Sequence, residues 1–182
     1  NPVSLALGAE ATFVARTIDS DRKHLTSVLS AAAAHRGTAL VEIYQNCPIF
    51  NDGAFEAVKS PGTKDEAAIN LEHGQPIKFG ASSGIARDQE TGGVKVVTDV
   101  TDESTLLVHD AHRDDPTTAF ALSRLTDGGI LHRAPIGIFR SVERPAYDDL
   151  VRAQVRTSRE GQTDDNSALQ GLIAGGDTWT VV

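Results

Sequence analysis

A single cysteine, Cys47, stands in the run Gln45-Asn46-Cys47-Pro48-Ile49-Phe50-Asn51-Asp52-Gly53. Three chemistries compete for its thiol. A lone cysteine is most often a buried, inert side chain, and residue chemistry by itself favours that reading. A nucleophile needs a base beside it, and none is close in the sequence. A ligand to an iron–sulfur cluster needs three more thiolates, which these 182 residues do not contain. Pro48 removes an N–H and stiffens the loop, and Cys-Pro also closes some cluster-binding runs. A second group is His109, Asp110 and His112, joined by His73, Asp114 and Asp115. Imidazoles and carboxylates just past a strand can hold a divalent metal, the chemistry of a hydrolase. The competing reading is a solvated turn that caps a helix opening at Pro116, with Asp115 as N-cap. Glu42 lies inside a strand before the cysteine run, where a structural salt bridge is a commoner role than a cofactor contact. Trp179 suits an anchor of the tail to a core or to a partner surface. The glycine pairs at 92–93, 128–129 and 175–176 form neither a GxGxxG fingerprint nor a phosphate-binding loop.

The elements that must position these residues follow from pattern. Asn1 caps a helix whose first residue is Pro2, with Leu5, Ala6 and Ala9 on one face. Thr12 to Ala15 reads as a buried strand. Asp19 to Asp21 supply caps for a helix through His35, with Leu25, Val28, Leu29, Ala32 and Ala33 at helical spacing and Gly37 closing it. Thr38 to Tyr44 is a second buried strand. Strand, helix, strand in about 33 residues is a βαβ unit with a parallel sheet. Ligand chemistry in such sheets sits beyond the carboxyl ends of the strands, which is where the Cys47 run begins. Residues 59–66 form a polar linker or loop. Ala67 to Phe79 reads as a hairpin turning at His73-Gly74, and a charged, Gly-rich stretch then leads to Val94–Val97. Leu106 to Val108 is a strand. Pro116 to Leu125 is a helix closed by Gly128-Gly129. Pro135 to Val142 is the last strand, and Pro145 opens a long helix with Tyr147, Leu150, Val151 and Val155 on one face. Asp148 and Asp149 in its first turn suit the helix dipole.

Composition narrows the classes. An apolar share of 40% supports a core, and no 18-residue apolar run predicts a membrane span. A net charge of -8 argues against a nucleic-acid footprint. One cysteine excludes an internal disulfide framework and fits a reducing cytosol. No methionine is present and the first residues are Asn1-Pro2, which leads us to expect a piece of a longer protein.

Several segments resemble the beta subunits of 2-oxoacid:ferredoxin oxidoreductases. The opening stretch Asn1 to Arg16 is similar to the segment that follows the thiamine-diphosphate motif in that family. The stretch from His24 through His35-Arg36-Gly37-Thr38 to Gln45-Asn46-Cys47-Pro48-Ile49-Phe50-Asn51-Asp52 resembles its most recognisable downstream block. His73-Gly74-Gln75-Pro76-Ile77-Lys78-Phe79-Gly80 and Gly176-Asp177-Thr178-Trp179-Thr180-Val181 look like the longer, actinobacterial-type members, of the 2-oxoglutarate type.

The resemblance implies an α/β fold. Residues 1–58 would be the C-terminal part of a thiamine-diphosphate-binding parallel-sheet domain. Residues 59–182 would be the C-terminal region of a beta subunit, made of hairpin, strand and helical tail. It implies that Cys47 is the fourth ligand of a [4Fe–4S] cluster, reversing the odds set by residue chemistry. The thiamine diphosphate and Mg²⁺ ligands and the other three cysteines would lie before Asn1, so this stretch alone would be inactive. The whole enzyme would oxidatively decarboxylate 2-oxoglutarate, or pyruvate or a broader range of 2-oxoacids, to an acyl-coenzyme A, with an alpha subunit and ferredoxin as cytoplasmic partners. A metal-dependent hydrolase built on His109, Asp110 and His112, and a non-catalytic α/β interaction module, remain the readings from other classes.

Overall fold

The Asn1 side chain accepts a hydrogen bond from the Ser4 amide at 3.1 Å and so starts helix α1 (Pro2–Gly8), where Pro2 has no amide to satisfy. In this structure, a computed structural model, residues 1–126, 131–160, 165–176, 179 and 181 are described. Helix α1 buries Val3, Ser4, Ala6 and Leu7 and leaves Leu5 exposed, correcting the expected Leu5-Ala6-Ala9 face. Val3 and Leu7 are an i, i+4 pair that removes more apolar surface from water than Leu5 with two alanines.

Strand β1 (Phe13–Ile18) is buried at all six positions, longer than the apolar run from Thr12 to Ala15 because Arg16 and Thr17 are also taken inside. Asp21 caps helix α2 (Arg22–Ala34) through the His24 amide, and strand β2 (Ala39–Tyr44) returns parallel to β1, from Phe13 opposite Ala39 to Ile18 opposite Tyr44. The expected βαβ unit is therefore present. Of the expected α2 face, Val28 alone is fully buried. Gly37 is not the cap of α2, which ends on an extended His35. At Gly37 φ is 142°, and a Cβ would lie 2.5 Å from Thr12 Oγ1. Glycine is needed there for close approach to the start of β1.

The polar run 59–66 is not a plain loop. It takes in the end of one helical turn, α3 (Glu56–Lys59), and most of another, α4 (Lys64–Ala67). Strand β3 (Ala68–Leu71) follows. The expected hairpin over 67–79 is not formed. The chain does turn at His73-Gly74, but β3 pairs parallel with the last strand of the fold, while β4 (Lys78–Phe79) pairs with β5 (Ser83–Arg87). Strand β5 and β6 (Val94–Val97) make an antiparallel pair around the charged, Gly-rich turn. The Leu106–Val108 segment is not a ladder strand. Its Leu107 amide donates to Ile85, and its Leu107 carbonyl accepts from Ile77. Helix α5 (Thr117–Ser123) begins after Pro116, and Asp115 accepts from the Thr117 amide at 2.8 Å. Its expected glycine stop at 128–129 lies outside the described residues.

Strand β7 (Ala134–Ser141) completes a four-stranded mixed sheet in the order β2-β1-β7-β3. It runs antiparallel to β1, with an irregularity between Val14 and Ala15 where Phe139 is the extra residue. That bulge turns Phe139 towards the core of Val14, Leu7 and Leu122, while Ile138 faces Phe13, Ala15 and Val28 beneath α2. Buried Arg140 ties the start of β1 to the segment before α5, donating to the carbonyls of Glu10, Ala11 and Asp114.

The chain forms two compact units, Asn1–Arg144 and Pro145–Val182. The second contains α6 (Tyr147–Arg159), with Asp148 and Asp149 paired to Arg152, and α7 (Asp165–Ala174). The shared face of Tyr147, Leu150, Val151 and Val155 is apolar but not buried. No helix among the described residues is long and apolar enough to cross a membrane.

Gly137, with φ at 136°, pairs with Leu71 of β3, and a Cβ there would lie 2.6 Å from the Leu71 carbonyl oxygen. Replacing Gly137 by Ala should lower unfolding stability by about 2–3 kcal/mol through backbone strain and overpacking. Urea midpoints of the two proteins check this; equal midpoints would contradict the close approach.

Candidate functional site

The carboxyl ends of β1 and β2 lie side by side, as a parallel pair requires, and the chain leaving β2 carries Cys47. A charge held inside the sheet fixes this edge. Arg16 is 1% exposed, its Nε donates to Glu42 Oε2 at 2.6 Å, and an Nη donates to the Pro135 carbonyl at 3.2 Å. Its guanidinium lies 5.1 Å from the Tyr44 ring centroid and 5.3 Å from that of Phe139. Glu42 is thereby a structural ion-pair partner, the commoner of its two expected roles. Composition gave one clue to Arg16 that the pattern reading passed over: a basic residue within an otherwise apolar strand needs an acid from the strand beside it.

Tyr44 is buried, and its ring stacks on Phe55 with centroids 4.4 Å apart. Residues 45 to 54 therefore leave the sheet at Tyr44 and return at Phe55. Within that excursion Cys47 and Asn51 form an isolated antiparallel bridge, with the Asn51 amide donating to the Cys47 carbonyl at 2.9 Å. Asn46 closes the loop with its side chain. Its Oδ1 accepts from the Gly53 amide at 3.0 Å and its Nδ2 donates to Asp52 Oδ1 at 2.9 Å. Cys47 is half-buried and forms no disulfide. Beyond it Ile49 and Phe50 are 83% and 88% exposed.

This loop fits a ligand to an iron–sulfur cluster. Its sulfur is reachable rather than sealed in the core. The Ile49 and Phe50 amides make no hydrogen bond among the described residues, so they are free to donate to cluster or cysteine sulfur. Two exposed apolar side chains, Ile49 and Phe50, follow it in the same loop and would help to keep water from such a group once a partner surface covered them. Among the described residues no three His, Cys, Asp or Glu side chains group so as to hold a metal ion, so the remaining ligands of a cluster would come from outside this chain.

The histidine group is built for another purpose. His109 is 2% exposed, and its Nε2–H donates to the Ile138 carbonyl at 2.8 Å. His112 Nδ1–H donates to the Ser141 carbonyl at 2.7 Å, and His73 Nδ1 accepts from the Ala111 amide at 3.2 Å. Asp110 caps its own turn by accepting from the His112 amide, while Asp114 accepts from Arg144. One nitrogen of each imidazole is thus committed to backbone, and the group clamps the 109–112 segment to β7 and to the His73 turn. The His73 and His112 rings meet edge-on, 4.4 Å apart, at the rim of a 500 Å³ cleft walled by Phe13, Val28 and Ile138. Cys47 does not line that cleft. This geometry does not support the metal-dependent hydrolase. Trp179 is 84% exposed, so it is not anchored in a core among the described residues.

No family model matches the chain. The 2-oxoglutarate oxidoreductase subunit KorB of Mycobacterium tuberculosis is 53% identical over 183 residues, covering 100% of this chain and 48% of that protein. A 2-oxoacid:ferredoxin oxidoreductase subunit beta from Sulfolobus sp is 44% identical over 52 residues, 29% of this chain and 17% of that one. Over its whole length the chain is similar to beta subunits of this kind. It spans about half the length of KorB. The 2-oxoglutarate:ferredoxin oxidoreductase of Magnetococcus marinus, solved with 2-oxoglutarate, coenzyme A and succinyl-CoA bound, superposes with a TM-score of 0.58 at 20% identity. That match covers 98% of this chain and 45% of the other, and it shows that the two share a fold over that length.

Burial pulls the His109 imidazole below its ordinary value, with smaller opposing help to the cation from the Ile138 carbonyl. Burial does the same to His24, against a smaller pull from Asp21. Both groups bind protons more readily unfolded than folded. Stability from this source is complete above the unfolded histidine value of about 6.5 and is lost as pH falls through it towards the lowered folded values. The thermal midpoint of the chain should therefore fall between about pH 7 and pH 5.5, and His109→Gln should reduce that slope. A midpoint that rises on acidification would contradict the assignment.

Proposed function

We propose that this chain is part of the beta subunit of an enzyme that oxidatively decarboxylates a 2-oxoacid to its acyl-coenzyme A, passing the electrons through a [4Fe–4S] cluster to ferredoxin. The observation that carries this is the 53% identity to KorB, sustained over the whole chain. The substrate we favour is 2-oxoglutarate, the oxoacid named for that relative; pyruvate or a broader set of 2-oxoacids is the alternative. The partners are an alpha subunit and ferredoxin, and the setting is the cytoplasm.

In the intact enzyme thiamine diphosphate with Mg²⁺ supplies the electron sink for decarboxylation, and the cluster accepts electrons singly. Residues for the thiamine group and for the other cluster corners belong to the remainder of the subunit. Residues 1–58 form the part of the thiamine-binding domain present here, and 59–182 the region particular to the subunit. That division is one of origin and not of folding, since strands from both sides share one sheet. This chain's contribution is physical. Arg16, Glu42 and Tyr44 hold the carboxyl edge, Cys47 would offer one thiolate, and the amides at 49 and 50, which make no hydrogen bond among the described residues, would be free to donate to sulfur. Ile49 and Phe50 exclude water from that sulfur once covered.

In the complete enzyme, prepared without air, Cys47→Ala should remove most of the cluster iron. It should lower ferredoxin reduction by more than the roughly 10–100-fold that loss of a group merely orienting a metal ligand costs. Iron analysis and low-temperature EPR read the outcome. Full iron content with an unaltered signal would overturn the assignment of Cys47.

A further inference from the structure

The loop that carries Cys47 has little to hold it in place except one side chain. Pro48, Ile49, Phe50, Asn51, Asp52 and Gly53 are all outside the core, so packing does not fix their path. The Asn51-to-Cys47 backbone bond closes the inner turn. The outer closure belongs to Asn46, which is half-buried and uses both ends of its amide: Oδ1 takes the Gly53 N–H at 3.0 Å, and Nδ2 gives a hydrogen to Asp52 Oδ1 at 2.9 Å. Gly53 has φ at 73°, so its N–H is presented to Asn46 by a backbone turn that favours glycine.

We propose that Asn46, through Asp52, is the positioning residue for the Cys47 thiolate. The inference rests on the reading of Cys47 as a cluster ligand. Asn46 precedes Cys47 directly, so locking its side chain across the loop also locks the peptide from which the thiol projects. Without the lock, the ordering of this exposed segment would be charged against every iron–sulfur bond it makes. The Asp52 carboxylate strengthens the lock because a bond to an ionised acceptor is stronger than one between neutral groups. The chemistry is demanding: the residue at 46 must donate to one partner and accept from another at this length. Asparagine does both. Aspartate can accept from Gly53 but faces Asp52 with a second negative charge and no proton to give.

That asymmetry supplies the test. In the complete, anaerobically prepared enzyme, Asn46→Asp should release cluster iron to a chelator about tenfold faster and shift the EPR signal of the reduced cluster, the usual scale for groups that orient a ligand. Adding Asp52→Asn to Asn46→Asp restores a donor and an acceptor in reversed order, and this double variant should return both readings to those of the parent. A merely structural loop residue would not show rescue of a cluster signature by a swap of this kind. The proposal is overturned if Asn46→Asp keeps the parental release rate and signal, or if the swapped double variant assembles but stays as labile as the single one. Should Asn46→Asp fail to assemble, the double variant alone decides by the same comparison. Cys47→Ala, run in parallel, separates the two ideas. If it too retains iron and signal, the ligand reading has failed; if it loses them while Asn46→Asp does not, the positioning role alone has failed.

Discussion

Arg16 sits in the middle of β1, shut off from water, and its charge is tolerable there because Glu42 reaches it from β2 and two aromatic rings lie against its faces. Burying a cation in this way is costly, and removing one partner of such a pair typically costs about 3–5 kcal/mol. The pair therefore pins the register of β2 against β1 more firmly than hydrogen bonds alone. A slip of one residue would send Glu42 to the other face of the sheet and leave both charges unpaired. Tyr44, two residues on and on the same face as Glu42, is carried inward by the same register to meet Phe55.

Everything at the carboxyl edge follows from that registration. With Tyr44 buried and stacked, the chain must leave the sheet at residue 45 and be back by residue 55. The loop between is short, closed on itself by Asn46, and directed outward with Cys47 at its base and two apolar side chains at its tip. A rigid sheet edge beneath a closed but unpacked loop suits a group that must meet an inorganic cluster at a defined place. It does not suit a thiol whose purpose is to fill a core.

The local features of this fold were legible in the sequence. Asn1-Pro2 announced a capped helix, the run Asp19 to Asp21 another, and the apolar runs on either side of α2 a parallel pair, because caps and periodicity act over a few residues. Some local readings failed too, the buried face of α1 and the Gly37 cap of α2 among them, but the larger failure was non-local. Ala67 to Phe79 has the residues of a hairpin, yet β3 pairs with β7 more than sixty residues later and β4 with β5. No local signal encodes that choice. The site was legible to a similar depth. The position of Cys47 beyond a parallel strand could be read from pattern, while the proposal that it is a ligand came from resemblance alone. The roles of Asn46 and Asp52 went unread because a loop staple has no periodicity. The histidine spacing left a metal site and a capping turn both open, and the structure favours the turn: Asp115 accepts from the Thr117 amide, and among the described residues no three such side chains group to hold a metal.

The most direct test of this account is a structure of the complete enzyme, prepared without air, at a resolution that separates the cluster atoms. The account requires an iron atom bonded to Cys47 Sγ, at one corner of a [4Fe–4S] cluster whose other three corners are held by cysteines from the rest of the subunit. A cluster with all four corners held elsewhere and Cys47 standing as an unbonded thiol, or an enzyme with no cluster at all, would contradict it.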